Sequence, residues 1–170
     1  GLPCCGRTKL AKALSKATER PWIYVPTCIV LGNTTYGDIL QRLERWEDGS
    51  LIANKFHLSA AAAMMRGETD LTAEQWAALD KLVEDSDGRI LCMVDNPVLV
   101  EERLRAEQRV GYMTRQQVGE RLNQLTLSLR ASNVRKKGTY RLQQFLDPVN
   151  GETTTMFARL VAEIRGTEEK

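Results

Sequence analysis

The chain begins "GLPCCGRT" and runs directly into "KLAKALSKA". Two glycines bracket a short run of small residues. Leu10, Ala13, Leu14 and Ala17 then fall on one helical face, with lysines opposite. Such a loop turns the chain sharply into a helix N-terminus. The helix must then bury its apolar face on another layer, and short apolar segments downstream supply one. "WIYV" (Trp22 to Val25), "LIAN" (Leu51 to Asn54), "RILCMV" (Arg89 to Val94) and "YRLQQFL" (Tyr140 to Leu146) read as strands. Helical patterns lie between them. One carries Tyr36, Ile39, Leu40, Leu43 and Trp46, and "HLSAAAAMM" starts another. A third opens with Thr72 and Gln75 as a capping box, and a fourth follows Pro97. A polar helix is expected between about residues 106 and 132. Met156, Phe157, Leu160, Val161 and Ile164 mark a closing amphipathic helix. Strands alternating with helices predict an α/β fold with a mostly parallel sheet.

At 170 residues the chain is long enough for one domain with a real core, so 1–170 is read as a single domain. A net charge of +2 names no partner by itself. No stretch is apolar enough to span a bilayer, and none has the pattern of a signal peptide. The expectation is therefore a cytoplasmic protein without a membrane partner. Cys4, Cys5, Cys28 and Cys92 fit neither a disulfide framework nor zinc spacing and are read as thiols.

The opening residues read G-x-x-x-x-G-R-T, one residue from the phosphate-cradling pattern G-x-x-x-x-G-K-[ST]. Such loops work because small residues let successive backbone N–H groups face phosphate oxygens at a helix N-terminus. Gly1, Cys4, Cys5, Gly6, Arg7, Thr8 and Lys9 are the candidate phosphate-binding residues. Thr8 is also the candidate metal ligand. Arg7 keeps the charge of the usual lysine but binds phosphate as a planar fork rather than a point charge. Phosphate affinity should therefore outlast phosphoryl transfer. In parallel sheets ligands sit beyond the strands' carboxyl ends. There the loop should meet Asn54–His57 and Asp95–Pro97.

"GLPCCGRTKLAKAL", "YGDILQRLERWEDGSLIANKFHLS", "RILCMVDNPVLVEERLRA" and "VGYM" follow one another at intervals that resemble thymidylate kinase-like P-loop kinases, particularly the compact deoxynucleoside monophosphate kinase-like proteins of bacteriophages. The resemblance covers nearly the whole chain. It implies a three-layer P-loop sandwich with a five-stranded, mostly parallel sheet and a helical lid. It also implies Mg2+ with ATP or another nucleoside triphosphate, and a deoxynucleotide acceptor. The family's second signature, approximately D-R-[FYW]-H-x-S-E, is matched here by Asn54, Lys55, Phe56, His57, Leu58, Ser59 and Ala60. Arg7, Asn54 and Lys55 are the candidate catalytic residues, yet each departs from the family pattern, as does Ala60. Asn54 cannot accept a proton or bind magnesium as a carboxylate does. Lys55 loses the bidentate grip on phosphate. Pro3 stands where these kinases usually carry an Asp that reaches the sugar. A sheet of this kind needs a central strand leading into the loop. A short apolar strand just upstream of Gly1 is therefore expected.

His57, the lone histidine, is read as a structural residue hydrogen-bonding backbone at a strand-to-helix corner rather than as a catalyst. Cys4 and Cys5 lie near a helix N-terminus, which lowers thiol pKa, but read more simply as loop fillers. From Arg103 to Arg141 there are ten Lys/Arg against two Asp/Glu, with "RASNVRKKGTYR" the densest part. This basic segment, about 103–137, corresponds to the lid. Arg105, Arg109 and Arg115 are the candidates for closing over phosphates. A DNA-backbone surface and a solvated helical face are the alternatives. Two functions stand. One is a kinase acting on a deoxynucleotide or on a modified base in phage DNA, working in the cytoplasm of an infected bacterium. The other is a degenerate homologue that binds nucleotide, nucleic acid or protein. A homodimer is an open option.

Overall fold

The computed structural model describes residues 2–24, 52–54, 56–69, 71–107, 113–147 and 149–166. Helix α1 spans Arg7–Thr18 and buries Leu10, Ala11, Leu14 and Thr18. β1 (Trp22–Tyr24) pairs in parallel with β2 (Ile52–Asn54), Trp22 opposite Ile52 and Tyr24 opposite Asn54. α2 (His57–Met64) follows, then α3 (Ala73–Asp85), with the expected Thr72–Gln75 capping box formed in full. β3 (Arg89–Met93) pairs in parallel with β4 (Lys136–Tyr140), from Arg89 opposite Lys136 to Met93 opposite Tyr140. Between them lie α4 (Pro97–Ala106) and α5 (Arg115–Ala131). The closing helix, α6, covers Thr155–Gly166 and packs on α1. The expected helix through Tyr36 and Trp46 lies outside the described residues.

The α/β class and the parallel pairing hold, but the described residues form two separate two-stranded pairs rather than one five-stranded sheet. Backbone N–H groups of consecutive strand residues point to opposite sides. Val94 donates to Tyr140 of β4 at 2.8 Å, so Met93 faces the other way. There its carbonyl accepts the Leu2 N–H at 2.9 Å. The opening loop thus runs along the β3 edge away from β4, while α1 behind it packs on β2.

The last strand is displaced from its expected place. "YRLQQFL" contributes only Tyr140 to β4, and Leu142–Gln144 turn as a single 3-10 helix. β4 is "KKGTY", the basic turn assigned to the lid end. Its composition hides it, since lysines and glycine are poor strand formers. Among the described residues β4 pairs only with β3, and lysine suits such an edge. Phe145 and Leu146, the apolar residues that suggested a strand, are buried all the same, at 1% and 2% exposure. The 3-10 turn delivers them to the core.

Helix α2 shows the reverse. Ala60 to Ala63 are all buried, so no apolar face stands out. The small side chains let α2 sit between α3 and α5. Ala60 itself is 0% exposed, so a glutamate there would carry its carboxyl into the core.

Candidate functional site

The loop is anchored on both strand pairs. Cys4 and Gly6 adopt left-handed backbone conformations, with φ 53° and 75°. Gly6 is required twice over. Its φ disfavours a side chain, and a Cβ there would stand 2.5 Å from a methyl of Leu142. Gly6 precedes α1 without any side-chain cap. Its carbonyl accepts the Leu10 N–H at 2.9 Å, as the first turn of a helix requires. The N–H groups of Arg7, Thr8 and Lys9 precede that bond and carry the helix's positive end. Thr8 and Lys9 are exposed, and Arg7 and Gly6 half-buried.

The end of β2 reaches this turn. The Asn54 side-chain amide donates to the Thr8 hydroxyl oxygen at 3.0 Å. Asn54 is only 5% exposed, and its backbone is held in the β1–β2 ladder. The end of β3 reaches it from the other side. Arg103 of α4 donates through Nη1 to the Cys4 carbonyl at 3.2 Å and to Asp95 Oδ2 at 2.7 Å. The other Asp95 oxygen accepts the Asn96 N–H at 2.9 Å. The Cys4 thiol points to Glu107, 3.6 Å away. Burial pushes the Cys5 thiol up to about 12. Asp95 reinforces that shift, and Arg103 and Arg7 oppose it. Burial therefore outweighs the helix terminus, and Cys5 is a packed loop residue with no thiolate character.

The sequence brings Cys4, Cys5, Gly6, Arg7, Thr8 and Asn54 together as expected. Lys9 lies on the outer side, its amine 4.0 Å from where a Cβ on Gly151 would lie. Gly1, Lys55 and Arg109 fall outside the described residues. Arg105 pairs with Glu101 on its own helix at 3.0 Å, and Arg115 opens α5 as an exposed residue. Arg103, two residues before Arg105, is a cation that reaches the loop. Asp95, expected with Asn96 and Pro97 beside the loop but given no role there, is its partner. Its signal was present: "RILCMV" is an apolar strand that ends in a carboxylate.

The densest basic cluster is engaged elsewhere. Arg135 pairs with Glu84 at 2.5 Å, Lys136 with Asp87 at 2.5 Å, and Lys137 donates to the Ser132 carbonyl. These contacts stitch β4 to α3 and to the end of α5.

His57 opens α2 and belongs to a different cluster. It is 2% exposed, and its Nε2 stands 3.0 Å from Asp80 Oδ1. Asp80 also accepts the Ser132 hydroxyl at 2.5 Å and the Asn133 N–H at 2.7 Å. The Trp76 indole donates to the His57 carbonyl at 3.1 Å. Burial lowers the His57 pKa, with Asp80 acting against it. A carboxyl oxygen accepts here, so Nε2 carries the proton of the neutral ring. Serine and histidine both bind the aspartate and not each other, so this is no nucleophile–base pair. The structural reading of His57 holds, with Asp80 as partner in place of backbone.

No helix among the described residues is long and apolar enough to cross a membrane. No protein-family model matches the chain, and no curated protein does. Among solved structures it is similar to YorR from Bacillus subtilis, crystallised in complex with phosphorylated GDP. The two share 15% identity, the match covers 98% of this chain and 91% of YorR, and the TM-score is 0.68. At that identity the likeness is one of fold. The chain shares the α/β architecture of that protein over nearly its whole length.

Proposed function

We propose that this protein binds a nucleotide by its phosphates at the Leu2–Thr8 loop, as a kinase-like protein in which binding has outlasted phosphoryl transfer. The observation that carries this reading is the uncapped start of α1. Its first N–H groups and the Thr8 hydroxyl stand where the ends of β2 and β3 reach the loop, and Arg7 is the helix's first residue. Backbone N–H groups at a helix start are a general anion site, and arginine adds a forked donor. The similar fold of YorR, crystallised with phosphorylated GDP, supports a nucleotide as the anion's source. Three features speak against transfer. Asn54 offers an amide where a carboxylate would take up a proton. Ala60 is buried without a polar group. Asp95 is tied to Arg103.

The second reading is the active kinase, using Mg2+ with ATP or another triphosphate and a deoxynucleotide acceptor. Binding to a DNA backbone is less well supported, because Arg135 and Lys136 are consumed by ion pairs within the fold. The test joins calorimetry with a phosphoryl-transfer assay on the same protein. ADP and pyrophosphate should bind without turnover of any deoxynucleotide. Arg7→Ala should weaken binding by roughly 1.5–3 kcal/mol, the size of a charge-assisted hydrogen bond. Unchanged affinity in that variant would remove the loop from the site. Measurable phosphorylation of a deoxynucleotide would restore the kinase reading.

A further inference from the structure

We propose that the loop takes up its phosphate anion bare, with no divalent cation, and that Asn54 is the residue that sets this. The inference rests on the phosphate-site reading above. It arises because the residues at the loop do not fit the magnesium ion that a nucleotide kinase would use.

Magnesium binds a hydroxyl through an oxygen lone pair, within a nearly octahedral set of oxygens. The Thr8 oxygen instead receives an N–H from Asn54 at 3.0 Å. That places the positive end of an amide dipole where a cation would approach. The amide has little freedom to leave. Asn54 is 5% exposed, and its backbone belongs to β2. A hydroxyl whose oxygen already accepts a bond keeps its own proton for donation. Thr8 is thereby set to donate to an anion rather than to ligate a metal.

The Asp95 carboxylate at the end of β3 is withdrawn in the same sense. One Asp95 oxygen meets Arg103 at 2.7 Å and the other accepts the Asn96 N–H at 2.9 Å. Arg103 donates to the Cys4 carbonyl at 3.2 Å, and Arg7 opens the helix that follows the loop. Glu107 accepts from the Cys4 thiol at 3.6 Å. Among the described residues no group of three or more His, Cys, Asp or Glu could hold a metal ion. The balance around the loop repels a dication and attracts a phosphate. The guanidinium of Arg7 and the helix N-terminus do the neutralising that magnesium would otherwise do. The ligand chemistry is a di- or triphosphate, whether free pyrophosphate or the tail of a nucleotide.

The test is calorimetric titration of the whole chain with pyrophosphate, ADP and GDP, in magnesium and in EDTA at matched ionic strength. Wild-type affinity in EDTA should equal or exceed that in magnesium, which sequesters the phosphate in solution. Asn54→Asp should invert this, with weaker binding in EDTA and about a tenfold gain on adding magnesium, or 1.4 kcal/mol. Thr8→Val, which keeps the shape of the side chain, should weaken binding equally with and without the metal. Wild-type binding that improves tenfold or more with magnesium would overturn the inference and leave the phosphate site standing. A Thr8→Val loss seen only with magnesium would do the same. No binding of any of the three ligands in either condition would overturn the phosphate site itself. Tighter binding of ADP or GDP than of pyrophosphate, unaltered by EDTA, would identify a nucleotide as the source of the anion.

Discussion

Two polar clusters of this molecule are built from similar residue types and serve opposite ends. At the loop, Asn54, Thr8, Arg103 and Asp95 meet near the surface, and the N–H groups of the first turn of α1 have no partner within the helix. In the clasp between α2, α3 and the end of α5, Asp80 gathers His57, Ser132 and the Asn133 N–H, with the His57, Asp80 and Ser132 side chains out of water. Both clusters join elements distant in sequence. They differ in what remains unspent. The clasp is closed on itself and has nothing left to offer a ligand. The loop leads into a helix start with no side-chain cap. A closed polar network in a core is costly to open, because each orphaned group loses its partner without regaining water. An open one at strand ends is cheap to perturb and can bind. The lone histidine, the residue that most invites a catalytic role, belongs to the closed cluster.

The sharpest way to break this contrast is Asp80→Ala. It strands the His57 N–H and the Ser132 hydroxyl inside the protein and frees the half-buried Asn133 N–H. Each orphaned buried donor costs about 1–3 kcal/mol, so their sum is a large part of the roughly 5–15 kcal/mol that holds a domain together. The expected result is a large drop in the midpoint of urea unfolding, or failure to fold. His57→Ala in the same series removes a single donor and should cost less. A loss below about 1 kcal/mol for Asp80→Ala would show the clasp to be an ordinary surface-like pair.

The difference in legibility follows the same line. The loop was readable because its chemistry is local. Glycine spacing, the following basic residue and hydroxyl, and the helix period all lie within a short stretch. The capping box at Thr72 and the strand "RILCMV" were local in the same way. The clasp was not readable, since residues 57, 80, 132 and 133 share no spacing and meet only through the packing of three elements. β4 escaped for another reason. An edge strand is selected against being apolar, so "KKGTY" carries the opposite of a core-strand signal. Arg103 was missed beside Arg105 because only the roll of α4 decides which of two nearby arginines faces the loop. Resemblance carried the reading to Asn54 as the site position. It could not say that the amide would donate to Thr8.

A gentler perturbation of the clasp is pH. His57 has a folded pKa below the ordinary value of about 6.5, because burial disfavours the charged ring more than Asp80 favours it. Its unfolded state therefore takes up a proton first as the pH falls. Stability is fully present above about 6.5 and should decline as the pH drops through that value toward the lower folded one. Urea unfolding between pH 7.5 and 5.5 measures this limb, a window well above the carboxylates' ordinary range. His57 is the chain's one histidine, which makes the assignment direct. His57→Gln should flatten the limb. Stability that rises on acidification in the wild type would mean that Asp80 outweighs burial and that the ring is charged in the fold.

The smallest effect on stability is expected at the loop itself, from Arg103→Ala. The Arg103 side chain is 44% exposed, so its pair with Asp95 is solvent-screened. Such pairs contribute about 0–1 kcal/mol. The unfolding midpoint should hardly move, in contrast with Asp80→Ala. The consequence should appear instead in binding. The Cys4 carbonyl loses its donor, and Cys4 already sits at φ 53°, a conformation that an unbranched non-glycine residue holds only when its surroundings impose it. The Asp95 carboxylate, no longer neutralised, then opposes an incoming phosphate. Pyrophosphate affinity should fall in Arg103→Ala while stability is retained, and Arg103→Lys should recover part of it, since lysine keeps the charge but not the planar guanidinium whose Nη1 serves both Cys4 and Asp95. The reverse outcome, a protein that unfolds easily yet binds as before, would place Arg103 with the clasp as a fold-holding residue.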